Sequence, residues 1–353
     1  MIAAIRLTAT MAPVASLPAR PLTGSLVGVT RFNITRFQRT AVAATAATFL
    51  LMAIGGFVRA AGAGLGCPDW PRCFDRWMPP TDVSQLPAHI DPATFNFTLA
   101  WIEYANRLAG VTVGFLVLGV GFFAWQVHRQ RPTILWPAVG CVLLVAFQGW
   151  FGGQVVAYEL DPRFVTVHLV LALVLGALLL HLVVAGFDAE GGSLPRPTAA
   201  HVLPWRMTVL TLGITLAQTL LGALVRGNLE ILFQAHPGLP RQQALNQLGA
   251  IDELHKATAV LTLLLCGALY AVAHIRLDDR PALRRWAQVP VWIAITQVAA
   301  GLGLASQGLP PVLQLLHLIG GSLLFGSLAL AALLLAPSRV PAVDVAVLSH
   351  VTA

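Results

Sequence analysis

Three histidines lie within the outer ends of long apolar runs: His168, His255 and His317. An ionisable side chain in hydrocarbon-compatible sequence is costly, so each is a functional candidate. Their spacing strengthens the case. Ile251-Asp252-Glu253-Leu254-His255-Lys256 heads one run, and Ile102-Glu103-Tyr104-Ala105-Asn106-Arg107 heads an earlier one. Both read Ile, acid, two spacers, His or Asn, then a basic residue. Asn106 and His255 are 149 residues apart, and the same step carries Gln148 to Gln297, Gly152 to Gly301, Pro162 to Pro311 and His168 to His317. The chain is an internal duplication, with its intramembrane histidines at duplicated positions.

One imidazole from each of two facing helices, at one depth and without added carboxylates or thiols, suits axial ligation of a haem iron. Zinc would ask for three or four protein ligands. A lone histidine in a helix is as often a packed, hydrogen-bonded side chain; three at related positions favour ligation. The halves differ. His255 and His317 would fill both axial positions and favour a stable low-spin haem. His168 stands opposite Asn106, a poor iron ligand, with Glu103 three residues before it on the same helix face. That arrangement fits a haem held on one side, with a carboxylate near an open edge. One half thus reads as a permanent cofactor site and the other as a reactive or exchangeable one. Arg59, Arg107, Arg226 and Lys256 lie at the same interface as candidates for haem propionates, Arg59 and Arg107 in the first half, Arg226 and Lys256 in the second.

The elements that must position these groups are membrane helices. Hydrophobic residues make up 57% of the chain and charged ones only 10%, far below the roughly one quarter of soluble domains. The formal charge of +7 sits in short loops rather than in a basic stripe with interleaved aromatics, which excludes nucleic acid as a partner. Eight segments approach or exceed the roughly 20 residues that cross a bilayer, at about 41–60, 101–126, 134–157, 164–187, 204–226, 254–275, 286–306 and 312–336. Fourteen of the 22 basic residues fall before the first span, after the last, or in the loops on that same side, which predicts both termini cytoplasmic. All four candidate ligand positions then lie towards the outer leaflet.

The fold class expected is all-α, a polytopic membrane protein of eight transmembrane helices in two pseudo-symmetric four-helix bundles. Residues 1–38 form a cytoplasmic tail, 39–187 the first bundle, 188–203 a linker, 204–337 the second bundle and 338–353 a second tail. The Arg-, Ser- and Thr-bearing first forty residues carry no convincing transit peptide. A bacterial inner membrane is therefore expected ahead of a mitochondrial one.

The first extracytoplasmic loop is the longest and contains Cys67 and Cys73 with Pro68 and Pro71 between them. On an oxidising face a disulfide is the expected state. A structural staple for a Gly/Pro loop is favoured on spacing, with a redox-active pair as the alternative. Cys141 and Cys266 read as small packing residues within helices. Gly55, Gly56, Gly152 and Gly153 read by default as points of close helix approach.

At these residues the chain resembles the haem A synthase family, from about Thr40 to Ala336. The specific matches are Gly56-x-Val58-Arg59, then Gly64-Leu65-Gly66-Cys67-Pro68-Asp69-Trp70-Pro71-x-Cys73, then Trp101-Ile102-Glu103-Tyr104 and Arg107, with His168, His255 and His317 in the right spans. The resemblance implies a haem b cofactor held by His255 and His317. It also implies haem o as the substrate of the N-terminal bundle, its C8 methyl oxidised to a formyl group through a geminal diol that loses water. Haem a for terminal oxidases would be the product. Glu103 matches a glutamate thought to take part in catalysis, and the cysteine match brings a redox or substrate-handling role level with the staple. The partners implied are haem o, haem O synthase upstream, an electron acceptor whose identity is unknown, and membrane lipids; a homo-oligomer is left open. One departure matters: many members carry His where this chain has Asn106. Either His168 alone holds the substrate iron, or another group supplies the second ligand, or this half has lost activity; the first is favoured because Glu103, Arg107, His168 and the cysteine loop all remain. A b-type membrane electron carrier and a non-catalytic haem-binding assembly factor are the alternatives.

Overall fold

A computed structural model describes residues 34–189 and 201–337. Those residues form α1 (Arg36–Ala60), α2 (Phe97–His128), α3 (Pro132–Ala157), α4 (Pro162–Ala189), α5 (Val202–Ala235), the short α6 (Arg241–Asn246), α7 (Ala250–Arg276), α8 (Pro281–Ser306) and α9 (Pro311–Leu335). Among the described residues, eight helices are long and apolar enough to cross a membrane, and there is no strand beyond an isolated bridge between Cys73 and Arg76. The protein is an integral, multi-pass, all-α membrane protein. The expected 1–38 tail up to residue 33, the whole 338–353 tail and most of the expected 188–203 linker lie outside the described residues, whereas Arg36, Phe37 and Gln38 already belong to α1. Asp188 and Ala189 belong to α4, and Val202 opens α5.

Local chemistry sets the helix starts. Thr35 accepts from the Gln38 amide while the Gln38 side chain accepts from the Thr35 amide, a capping box worth about 1 kcal/mol in typical cases. Asn96 caps α2. Proline opens α3, α4, α8 and α9, where its missing N–H has no helical partner to lose.

Each repeated span packs as its counterpart does. In the first half α1 packs on α2, α2 on α3, α3 on α4 and α4 back on α1. In the second, α5 packs on α7, α7 on α8, α8 on α9 and α9 back on α5. The seam joins α1 with α9, α4 with α5, and α4 with α9, the contacts expected of a two-fold relation between duplicated halves. Phe49 of α1 wedges into that seam. A Cβ on Gly176 of α4 would lie 3.3 Å from its ring, and one on Gly326 of α9 only 2.7 Å. Small residues let the helices close around it.

The tightest packing lies at the end away from the histidines. In the first half it gathers Val117, Val120 and Ala124 of α2 with Ile134 and Ala138 of α3 and Leu179 and Leu182 of α4. In the second it gathers Leu269 and Ala273 of α7, Leu283 and Ala287 of α8, and Leu328 and Leu335 of α9. The opposite end is left for the site.

The fifth span departs from its expected length, ending at Ala235 instead of near 226. Arg226, Asn228 and Glu230 interrupt the hydropathy of this stretch, but Leu229, Leu232 and Phe233 keep an apolar helix face. That face packs on Ala244 of α6, Leu248 and Leu309. The short α6 was not foreseen, because six residues are too few to show a helical period.

Candidate functional site

Each of the four positions marked by the repeat is faced by a glycine on a neighbouring helix. A Cβ on Gly152 of α3 would lie 3.5 Å from Cε1 of His168 on α4, and one on Gly301 of α8 would lie 3.6 Å from Cε1 of His317 on α9. Gly222 of α5 faces His255 of α7 more closely, at 2.9 Å. Gly55 of α1 faces Asn106 of α2, with a Cβ reaching 4.0 Å from its Oδ1. Glycines read as plain packing points thus make room for the candidate ligands.

In the second half the His255 and His317 rings lie with centroids 6.4 Å apart and planes at 75°. Metal–imidazole bonds run at about 2.0–2.1 Å. Two such bonds, plus the distance from each nitrogen to its ring centre, account for a separation of this size. The Nδ1 atoms of both rings are buried without a hydrogen-bond partner among the described residues. No group of three or more His, Cys, Asp or Glu side chains gathers among the described residues. The donor set is a pair of facing imidazoles in a glycine-lined space, and it fits the axial ligands of a haem iron.

The first half offers His168 and Asn106. His168 Nδ1 and Asn106 Oδ1 are likewise buried and unpartnered. Gln148 fixes the backbone here by donating to the His168 carbonyl at 3.1 Å. His168 stacks on Phe151 (6.1 Å, 12°), Phe151 on Phe164 (5.6 Å, 20°), and Phe164 on Tyr158 (4.3 Å, 15°). The corresponding residues of the second half are Ala300, Leu313 and Gln307, so this aromatic wall belongs to one half alone.

Glu103 and Arg107 tie α2 to the first extracytoplasmic loop. The expected Cys67–Cys73 disulfide is formed, with Cα atoms 4.8 Å apart. Glu103, 3% exposed, accepts from the Cys67 amide at 2.7 Å through Oε2 and from Arg107 Nη2 at 2.5 Å through Oε1. Arg107 also donates to the carbonyls of Asp69 (2.8 Å), Arg72 (2.7 Å) and Cys67 (3.2 Å), and a second time to Glu103 through Nε (3.1 Å). All five guanidinium N–H donors are thereby used. The loop then lays Trp70 over Gly153 of α3, where a Cβ would come within 2.8 Å of the indole. That glycine adjoins Gly152, which faces His168.

Arg59 and Arg226 meet in one cavity of about 510 Å³ between the halves. Arg59 ends α1, and its guanidinium pairs with Glu230 of α5 across the seam. Arg241 of α6 and Gln314 of α9 complete the polar lining. Arg241 donates to the Leu309 carbonyl at 2.9 Å. Among the described residues Arg226 has no hydrogen bond or ion pair, although the Glu230 carboxylate lies near enough to attract it. Lys256 is elsewhere, held by Asp252 (2.7 Å) and Glu253 (3.0 Å) of its own helix.

The structure thus brings His255 to His317, Glu103 to Arg107 and the disulfide, and Arg59 to Arg226. It leaves Arg107 with the loop and Lys256 with its own helix's acids. Sequence reasoning missed Glu230, Arg241 and the aromatic wall. A faint signal for Glu230 existed: it follows Arg226 by four residues, one turn along the same face, if the helix is allowed to continue.

A profile of the family described as cytochrome oxidase assembly protein matches residues 38–329. Curated proteins named heme A synthase also match. One from Shewanella oneidensis is 33% identical over 133 residues, an alignment covering 35% of this chain and 37% of that protein. One from Geobacillus kaustophilus is 25% identical over 308 residues, covering 84% and 90%. One from Paracoccus denitrificans is 28% identical over 317 residues, covering 78% and 81%. The first alignment therefore spans well under two thirds of its relative, whereas the other two run along most of theirs.

Proposed function

The chain belongs to the haem A synthase family of cytochrome oxidase assembly proteins, and from that premise we propose that it oxidises the C8 methyl of haem o to a formyl group, making haem a for a terminal oxidase. The observation that carries this reading is the paired site: one half with two facing imidazoles, the other with one imidazole facing an amide. A resident haem b, bound between His255 and His317, would supply one-electron redox chemistry. Arg226 would take its propionates, with Lys256 a weaker candidate because two carboxylates already hold it.

In the first half His168 would hold the substrate's iron from one side. Asn106, with its unpartnered Oδ1, lines the other side without closing it. Phe151 fixes the plane of the His168 ring. Trp70 and the disulfide loop cover this end of the bundle and limit access of water. We assign proton handling to Glu103, one turn from Asn106, with Arg107 holding it and the Cys67–Cys73 loop in register. The disulfide serves as the staple of that lid. With water as the oxygen donor, each of two hydroxylations adds one water oxygen to the carbon and releases two electrons and two protons, methyl to alcohol and alcohol to geminal diol, and the diol loses one water to leave the aldehyde. The electrons pass to an acceptor outside the chain.

In this reading residues 39–187 carry the substrate and 204–337 the cofactor. Both termini face the cytoplasm of a bacterial inner membrane, and a haem O synthase supplies the substrate. The test is chromatography of haems extracted from the purified protein after co-expression with a haem O synthase. Haem a, or its hydroxylated precursor, alongside haem b is the expected result. Haem b alone, with haem o present and unconverted, would overturn the reading in favour of an electron carrier or a non-catalytic assembly factor.

A further inference from the structure

The cavity between the halves holds three guanidinium groups and one carboxylate, with an open volume of about 510 Å³. Its place in the repeat is telling. Arg59 follows Gly55, which faces Asn106, by four residues. Arg226 follows Gly222, which faces His255, by the same four. One helical turn is about 5.4 Å, so each arginine stands one turn outward of a half-site. Gln314 of α9 stands about one turn outward of His317. Two equivalent arginines from separate half-sites therefore open into a single cavity.

Their pairing is unequal. Arg59 is neutralised by Glu230, which belongs to the other half. Arg226 has no hydrogen-bonding partner among the described residues, and Arg241 spends Nη1 on the Gly308 and Leu309 carbonyls (3.3 and 2.9 Å) while its other donors make no bond among them. Arg226 is only partly buried and lines the cavity, where an acceptor entering that space can reach its donors. The planar fork of arginine suits a carboxylate taken in two hydrogen bonds.

We propose that this cavity is a carboxylate site common to both halves. Arg226 and Arg241 take an acid group of a tetrapyrrole held in the second half. Glu230 occupies Arg59 until an acid group of a tetrapyrrole in the first half displaces it. This rests on the assignment of the two half-sites made above and adds a shared site, Arg241 as a ligand-binding residue, and Glu230 as an internal competitor.

The test uses the haem b-loaded protein in phosphatidylcholine nanodiscs and metal-free protoporphyrin IX, which cannot be ligated through a metal. Its binding, read by fluorescence, is compared with that of its dimethyl ester. The free acid is expected to bind at least tenfold more tightly. Arg59→Gln should erase the preference, and Arg59→Lys should restore part of it. Glu230→Gln should tighten the acid severalfold and leave the ester unchanged. In the second half, Arg226→Gln should speed haem b transfer to apomyoglobin severalfold, and Arg241→Gln should do so to a smaller degree.

Equal binding of acid and ester to the unmodified protein would overturn the proposal, as would Glu230→Gln weakening the acid. Competition by phosphatidylglycerol at the acid form would overturn it too, by assigning the cavity to a lipid phosphate. Retained haem b content confirms that a variant is folded, and the isosteric Glu230→Gln tests the proposal if Arg59→Gln fails to fold. Haem o left unconverted would sink the proposed reaction without touching the acid-to-ester ratio, so the two failures are distinguishable.

Discussion

The two halves share a framework and differ in what hangs on it. The same glycine-opposed positions recur at Asn106 and His255 and at His168 and His317. The helices pack in the same cyclic order. In the second half, two imidazoles face each other, with Gly222 against His255 and Gly301 against His317. In the first, an amide replaces one imidazole, a stack of Phe151, Phe164 and Tyr158 backs the other, and a disulfide loop is clamped over the end by Glu103 and Arg107. In the proposed reading, duplication supplied two related sites, and divergence suits one to retention and the other to entry and exit.

The largest expected effect breaks the comparison at the iron ligands. His255→Ala or His317→Ala should each remove nearly all bound haem b, measured as haem per protein after purification. His168→Ala should keep haem b and lose product. Equal loss of haem b from all three variants would mean that the halves do not divide their roles. Next comes Glu103→Ala, expected to abolish product while haem b stays. It also strands the half-buried Arg107, and removing one partner of a buried pair costs about 3–5 kcal/mol, so a lowered thermal midpoint is expected with it. Glu103→Gln keeps acceptors for Cys67 and Arg107 and should hold the midpoint nearer the original while still losing product. Haem a formation by Glu103→Ala would sink the catalytic role.

Asn106→His sharpens the comparison by making the halves alike. Its expected outcome is a second low-spin haem per chain, seen by electron paramagnetic resonance, with slower product release. No second low-spin signal would mean that the backing of His168, and not the missing imidazole, separates the halves. A smaller effect is expected from the glycines. Gly222→Ala forces His255 to give way and should weaken haem b retention by a few fold, because its Cβ would sit 2.9 Å from the ring. Gly152→Ala and Gly301→Ala, at 3.5 and 3.6 Å, meet ordinary contact and should be near neutral. Haem b dissociation rates for the three variants check the order.

What could be read from the chain follows from what is local. Long apolar runs fix helices, and a step of 149 residues exposes the duplication, so eight spans and the four repeated positions that glycines face are legible in the chain. The Cys67–Cys73 bridge was legible because six residues and two prolines leave it few other states. The partner of Arg59 was not, since Glu230 lies 171 residues away and reaches it only through the way the two halves meet along the seam. The Glu103–Cys67 contact and the Phe151 stack depend on how each helix is rotated about its axis. In spans that are apolar nearly all round, no polar face announces that rotation. The fifth span was cut short at Arg226 because polarity was taken for a helix end, when it marked the wall of a cavity.

The smallest expected effect separates the first turns of α4 and α9. Asp161 precedes α4, accepts from the Arg163 amide at 2.8 Å and is bound by the Arg163 side chain. These hydrogen bonds hold its carboxyl below the ordinary aspartate value. The residue at the matching place before α9 is Pro310, which offers no side-chain cap. A depressed folded-state pKa means that the stabilisation is complete above the unfolded value and is lost as pH falls through the folded one. Acidification below the usual carboxylate range should therefore loosen the first turn of α4 and leave that of α9 unchanged. Asp161→Asn should give the first turn of α4 a protection factor, the exchange rate relative to the intrinsic rate at each pH, that no longer varies with pH, since an amide can cap but cannot titrate. Amide hydrogen exchange at Val165 and at Gln314 measures both. Acid-dependent exchange at Gln314, or none at Val165, would show that the cap does not govern how the α4 end of the first half opens.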